Sequence, residues 1–151
     1  MDKAPNFTLK DTNNEDVTLE SYKGEKNVVL LFFPLAFSGV CTKELCTTRD
    51  NLKIYEALDA EVFGISIDSF FTLKAFKEAN NLNFKLLSDF NKEVSEMYGV
   101  LYQDFFGMKG VAKRSVFIID QQGRVAHSEI LEDSGEMPNL SKVQQVLADL
   151  N

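Results

Sequence analysis

The apolar stretch Val28-Val29-Leu30-Leu31-Phe32-Phe33, entered through Asn27, is an unbroken run of β-branched, aliphatic and aromatic side chains. A run of that length without alternation predicts a strand buried on both faces. Pro34 closes it, because proline has no N–H to give to a sheet ladder. Beyond Ser38-Gly39 the period changes. Leu45, Leu52, Ile54, Tyr55 and Leu58 supply one apolar face, predicting a helix from roughly Val40 to Ala57. A second strand is predicted over Ala60–Ile67 and a helix over Thr72–Asn80. The succession strand, helix, strand, helix implies parallel pairing.

The flanks follow the same logic. Phe7-Thr8-Leu9 and Val17-Thr18-Leu19 alternate around the turn-forming Asp11-Thr12-Asn13-Asn14, predicting an N-terminal hairpin added to the main sheet. Ser21–Lys26 is a polar connection with room for a short helical turn. Phe84–Asp89 is a short strand or extended segment, and Lys92–Tyr98 a short helix ended by Gly99. Val100–Lys113 is a long loop carrying Leu101, Tyr102, Phe105, Phe106 and Met108, more apolar surface than a solvated loop needs. It is expected either to lie in a homodimer interface or to fold over the functional site. Ser115–Asp120 and Val125–Leu131 form an antiparallel pair across Gln121-Gln122-Gly123, and Leu140–Leu150 is an amphipathic helix.

The chemistry gathers at the first long helix. Cys41 lies in its first turn, where backbone N–H groups without intrahelical partners and the positive end of the helix dipole stabilise an anion. A thiolate is such an anion, and it is the nucleophilic form of cysteine. Pro34, Ser38 and Cys41 stand in the spacing Pro-x-x-x-Thr/Ser-x-x-Cys, and in this the chain resembles the peroxiredoxins. The string Pro34-Leu-Ala-Phe-Ser-Gly-Val-Cys-Thr-Lys-Glu44 is most similar to the alkyl hydroperoxide reductase E-like branch. A second thiol at Cys46, five residues on, is instead the arrangement of the Q-type branch. The resemblance runs from Ala4-Pro5-Asn6-Phe7-Thr8-Leu9 to Arg114–Asp120. Ser38 departs from the commoner threonine, keeping the hydroxyl and losing the methyl that fixes its rotamer.

The resemblance implies a thiol-dependent peroxidase acting on hydrogen peroxide, organic hydroperoxides or peroxynitrite. Cys41 would attack the peroxide, Cys46 would resolve the sulfenic acid as an intrachain disulfide, and a thioredoxin-like reductant would restore both. Pro34 would shield the sulfur. Ser38 and Arg114 would hold the peroxide and stabilise charge; a guanidinium, always charged and with five fixed donors, suits that task. Two other readings remain open at this point: a one-cysteine peroxidase resolved by an external thiol, and a non-catalytic thioredoxin-like binding module. The element order fits an α/β, thioredoxin-like fold, with a central mixed sheet flanked by helices, the hairpin at its N-terminus and an inserted segment near residues 84 to 113. Right-handed connections would bring the Arg114 strand beside the strand ending at Pro34.

Length and composition narrow the choice. A chain of 151 residues is expected to form one domain over 1–151. The formal charge of −7, with Lys and Arg scattered, argues against nucleic acid as a partner. No apolar run is long enough to span a bilayer, and Met1-Asp2-Lys3 is not followed by a signal-peptide core, so a cytoplasmic location is expected. In that compartment two cysteines five apart point to redox work rather than a permanent staple. The single histidine, His127, cannot supply a multi-histidine metal site, and Cys-x4-Cys alone is poor metal spacing, so no metal is expected. Nothing resembles a nucleotide-binding loop, so no cofactor is expected either. Glu44 reads first as a favourable first-turn carboxylate, with membership of the site as the alternative because the branch the chain resembles carries a similar residue. Arg49, Asp50 and Glu56 read as a solvated helix face.

Overall fold

The structure is a computed structural model that describes residues 2–151. Thr8–Asp11 (β1) and Asp16–Thr18 (β2) form the N-terminal hairpin. Its turn is held by Asp11, whose carboxylate accepts the backbone N–H groups of Asn13 and Glu15. A 3-10 turn over Leu19–Tyr22 leads to Asn27–Phe32 (β3), every residue of which is buried. Successive side chains of a strand point to opposite faces. Val29, Leu31 and Phe33 accordingly enter one hydrophobic cluster, and Val28, Leu30 and Phe32 another.

The predicted helix over 40–57 is two helices, Gly39–Asp50 (α1) and Leu52–Ala57 (α2). Asn51 separates them, with its side-chain amide donating to the Thr47 carbonyl that its own backbone N–H also reaches. Thr47 and Thr48 hydroxyls bond back to the carbonyls of Lys43 and Glu44. Such side-chain competition for helical carbonyls weakens and bends a helix. The break turns Ile54 outward, so this residue of the expected apolar face is 43% exposed while Tyr55 is buried.

Ala60–Ser66 (β4), Phe70–Ala79 (α3), Lys85–Ser88 (β5), Glu93–Met97 (α4), Ser115–Ile119 (β6), Val125–Ile130 (β7) and Leu140–Leu150 (α5) complete the chain. The strands form a seven-stranded sheet in the order β2-β1-β5-β4-β3-β6-β7. β3, β4 and β5 run parallel, as the succession of strands and helices implies, and β6 lies beside β3 as expected, in antiparallel sense. α1, α2, α3 and α5 cover one face; α4, the hairpin and the N-terminal segment cover the other. The segment after residue 84 is not simply inserted: β5 extends the sheet, and its free edge takes up β1 through Lys10 opposite Ser88 and Asp11 opposite Leu87. The loop of residues 100–113 doubles back on itself through bridges between Leu101 and Ala112 and between Phe105 and Met108. Tyr102 stacks on Phe105, and Phe106 is 84% exposed.

Burial separates two substitutions that sequence alone would treat alike. Leu31→Ala, at the centre of the sheet, should cost about 2–5 kcal/mol. Ile54→Ala should stay within about 0.5 kcal/mol. Equilibrium urea denaturation reads both; equal losses would contradict the outward turn of Ile54.

Candidate active site

The pairing of β3 with β6 sets up the site. Phe32 lies opposite Ser115, so Arg114, one step earlier, arrives where β3 gives way to Phe33 and Pro34. Pro34 is buried. The turn that follows is braced from β4: Asp68 accepts the backbone N–H of Ala36 at 2.8 Å and the Ser66 hydroxyl at 2.7 Å. Phe37 takes the left-handed conformation (φ 68°), unfavourable for an aromatic residue. Its ring packs edge-on against Phe76 of α3, with centroids 5.1 Å apart.

Ser38 occupies the N-cap position of α1 with extended backbone, but its hydroxyl makes no cap. It donates instead to the Leu35 carbonyl at 2.9 Å, closing the turn, while the Ser38 carbonyl accepts from the backbone and hydroxyl of Thr42. Ser38 and Gly39 are exposed. Cys41 is fully buried, and its Sγ lies 3.2 Å from Arg114 Nη1. Arg114, far from a solvated charge, is 2% exposed; its Nη2 donates to the Ser134 carbonyl at 3.0 Å.

The same Nη1 lies 3.5 Å from Glu44 Oε1. Glu44 is therefore not the surface carboxylate expected from its sequence position. It sits in the second turn of α1 on the inward face and is fully buried. Burial pushes its carboxyl up to about 8, with Arg114 opposing the shift without overcoming it. The geometry agrees: 3.5 Å is long for a charge-assisted bond, ordinarily about 2.7–2.9 Å, and Oε2 has no hydrogen-bond partner.

Cys46 is half-buried, with Sγ 3.8 Å from Asn80 Oδ1 at the end of α3. α1 runs unbroken through both cysteines, and both are free thiols. Pro34, Ser38, Cys41 and Arg114 thus converge on one end of β3, whereas Cys46 faces the end of α3. Arg49 is only partly solvated: Nη1 donates to the Asn80 carbonyl at 2.6 Å, and Nε pairs with the exposed Asp50. His127 lies in β7 opposite Ile118. Tyr102, in the aromatic loop, donates to the Glu132 carbonyl beside the Ser134 strap. Burial and then the Glu132 carboxylate raise its phenol above the ordinary range, against the pull of Arg114.

Asp68 and the Ser134 carbonyl are absent from the sequence expectation, and Glu44 reads there first as a helix-start carboxylate. Two of the three carried a signal. Glu44 is three residues from Cys41 and so shares its helix face, and Asp68 follows the carboxyl end of a buried parallel strand, where loops of such sheets gather their functional groups. A backbone carbonyl leaves no mark on a sequence. Among the described residues, no group of three or more His, Cys, Asp or Glu is placed to hold a metal.

Residues 1–128 match the AhpC/TSA family. The chain is 41% identical over 136 residues to alkyl hydroperoxide reductase E of Mycobacterium tuberculosis, covering 89% of this chain and 86% of that protein. It is 37% identical over 138 residues to a chloroplastic 2-Cys peroxiredoxin of Spinacia oleracea, covering 85% of this chain and 51% of the relative. Among solved structures, the peroxidoxin BcpB from Mycobacterium tuberculosis superposes with a TM-score of 0.88 at 28% identity, covering 99% of this chain and 96% of that one. The mitochondrial 2-Cys peroxiredoxin from Plasmodium falciparum gives 0.86 at 34% identity, covering 98% and 91%. With a cysteine and an arginine buried together at the end of its central strand, and with these likenesses along nearly its whole length, the chain belongs to the AhpC/TSA family and is a peroxiredoxin of thioredoxin-like fold.

Proposed function

We propose that this peroxiredoxin, a thiol-dependent peroxidase, reduces hydrogen peroxide, organic hydroperoxides or peroxynitrite through Cys41, with Pro34, Ser38 and Arg114 as its site and Cys46 as the resolving thiol. One observation carries the reading: a thiol and a permanent cation 3.2 Å apart, both removed from water. The guanidinium and the first-turn N–H groups of α1 stabilise the thiolate. Its sulfur attacks the near oxygen, the O–O bond breaks, and the leaving oxygen carries off the electron pair and takes up a proton. Arg114 meets the charge that develops there. Approach is from the Ser38-Gly39 side, where both residues are exposed and a Cβ added to Gly39 would meet nothing. The product is a sulfenic acid on Cys41, which condenses with a thiol or oxidises further.

Resolution by Cys46 needs a rearrangement. Five residues along an ideal helix separate two Cα atoms by about 8.6 Å, whereas a disulfide accepts roughly 4.4–6.8 Å. The helix that holds the thiolate therefore blocks its own resolution, and its first turns must unwind after each oxidation. A thioredoxin-like reductant then reopens the disulfide. The one continuous sheet supports reading residues 1–151 as a single domain. No helix among the described residues is long and apolar enough to cross a membrane. The exposed Phe106 and Met108 support a homodimer contact through residues 101–108.

Three outcomes are expected. In stopped-flow oxidation, Cys41→Ser does not react with peroxide, while Cys46→Ser completes the first step and then overoxidises unless an external thiol is added; the reverse pattern would exchange the two roles. Oxidised protein loses amide protection between Cys41 and Arg49 in hydrogen exchange, and an equally protected helix in both states would remove Cys46 as the intrachain partner. Sedimentation finds dimers that Phe106→Ser weakens; a strict monomer at high concentration would leave the aromatic loop as a cover only.

A further inference from the structure

Arg114 is one cation with two acidic neighbours. Its Nη1 lies 3.2 Å from the Cys41 sulfur and 3.5 Å from Glu44 Oε1, and all three side chains are at most 2% exposed. Its Nη2 is committed to the Ser134 carbonyl. Glu44 in turn acts on Tyr55 from α2, a buried phenol held above its ordinary range by burial and by Glu44 itself. The phenol is uncharged at neutral pH and supplies no cation. Within this dry enclosure a thiolate and a carboxylate together would leave one uncompensated negative charge. Either alone is balanced by the guanidinium.

The peroxidase needs that one negative charge on sulfur. We propose that Glu44 is a positioning residue that works as its neutral acid: protonated, it accepts from Arg114 Nη1 and steadies the guanidinium against Cys41 without competing for it, and ionised it draws the guanidinium off the sulfur. This inference rests on Cys41 being the peroxidatic thiol. Two features of the geometry support it. The Glu44–Arg114 contact is longer than an ion pair pulled together by full charge would be. Oε2 has no partner, a defect far more costly in a buried carboxylate than in a neutral acid. Glu44 touches neither the sulfur nor the reacting oxygens in this account; it acts through Arg114.

The consequence is a limit at high pH that thiol ionisation alone would not produce. As Glu44 loses its proton, near pH 8, the rate constant for oxidation of Cys41 by hydrogen peroxide should decline. In Glu44→Gln, which keeps the shape and the acceptor oxygen but cannot ionise, the decline should vanish. The ratio of the rate constants at about pH 9.5 and about pH 7.5 should then be at least roughly fivefold larger than in the wild type. A second readout does not depend on peroxide. Glu44 binds its proton more tightly folded than unfolded, so from the ordinary carboxylate value up to about 8 the native state holds more protons and wild-type stability falls as pH rises. Glu44→Gln lacks that slope, so in urea denaturation its stability relative to wild type should grow across this window and level off above it. A pH-independent stability difference, or a Gln variant slowed equally at every pH with the alkaline decline intact, would overturn the proposal. If the wild type did not consume Cys41 with peroxide at all, the peroxidatic reading would fail, and the stability measurement would still decide the state of Glu44.

Discussion

One guanidinium, buried where the central strand ends, organises the active end of this protein. Arg114 reaches that place because β6 pairs antiparallel with β3 in a register that sets Ser115 opposite Phe32. A one-residue slip would turn its side chain to the other face of the sheet. β3 and β6 are buried on both faces and enclosed by two clusters. The sheet therefore carries a charge into a dry environment, a costly step unless the charge is matched. A sulfur, a carboxyl and a carbonyl are gathered around it. The first two come from one face of α1 and the third from the segment between β7 and α5.

On the proposed mechanism, helix α1 is under two opposed demands. Its first turn must be intact to favour the thiolate, yet the same turn separates Cys41 from Cys46 by more than a disulfide spans. The two ends are secured unequally. Toward the C-terminus, Arg49 and Cys46 dock on Asn80 at the end of α3, and the Asn83 amide reaches the Arg49 carbonyl. At the N-terminus the Ser38 hydroxyl is spent on the preceding turn, Gly39 packs on nothing, and Phe37 is held in an unfavourable conformation. Local stability follows such contacts. The weaker end is the one that carries Cys41, which fits the proposed opening of the helix from its start.

Much of this was legible in the order of residues. The doubly buried strand, its stop at Pro34, the parallel pairing and the Arg114 strand beside the one that ends at Pro34 follow from hydrophobic pattern and chain topology, whereas Arg114 as a partner of Cys41 followed from the resemblance to the peroxiredoxins. What escaped depends on local competition and on third partners. The break at Asn51 arises from side chains bidding for helical carbonyls, which a hydrophobic period does not register, and it is why Ile54 faces outward. Ser38 was legible as a position and not as a partner, since a hydroxyl can turn either to the helix or back to Leu35. Glu44 was misjudged because a carboxylate near a helix start is so often a surface residue. Its spacing from Cys41 pointed inward, and only the enclosure by Arg114 and Tyr55 shows what that means.

The claim on which all of this turns is that Arg114 acts through a planar guanidinium fork that sets Nη1 against the sulfur while Nη2 is tied to Ser134, and not merely as a positive charge in the neighbourhood. The second-order rate constant for oxidation of Cys41 by hydrogen peroxide in Arg114→Lys tests it most directly, because lysine keeps the charge and loses the fork. The account predicts a fall of at least roughly tenfold, in line with the loss of a preorganised donor. A rate constant equal to the wild-type value would contradict it.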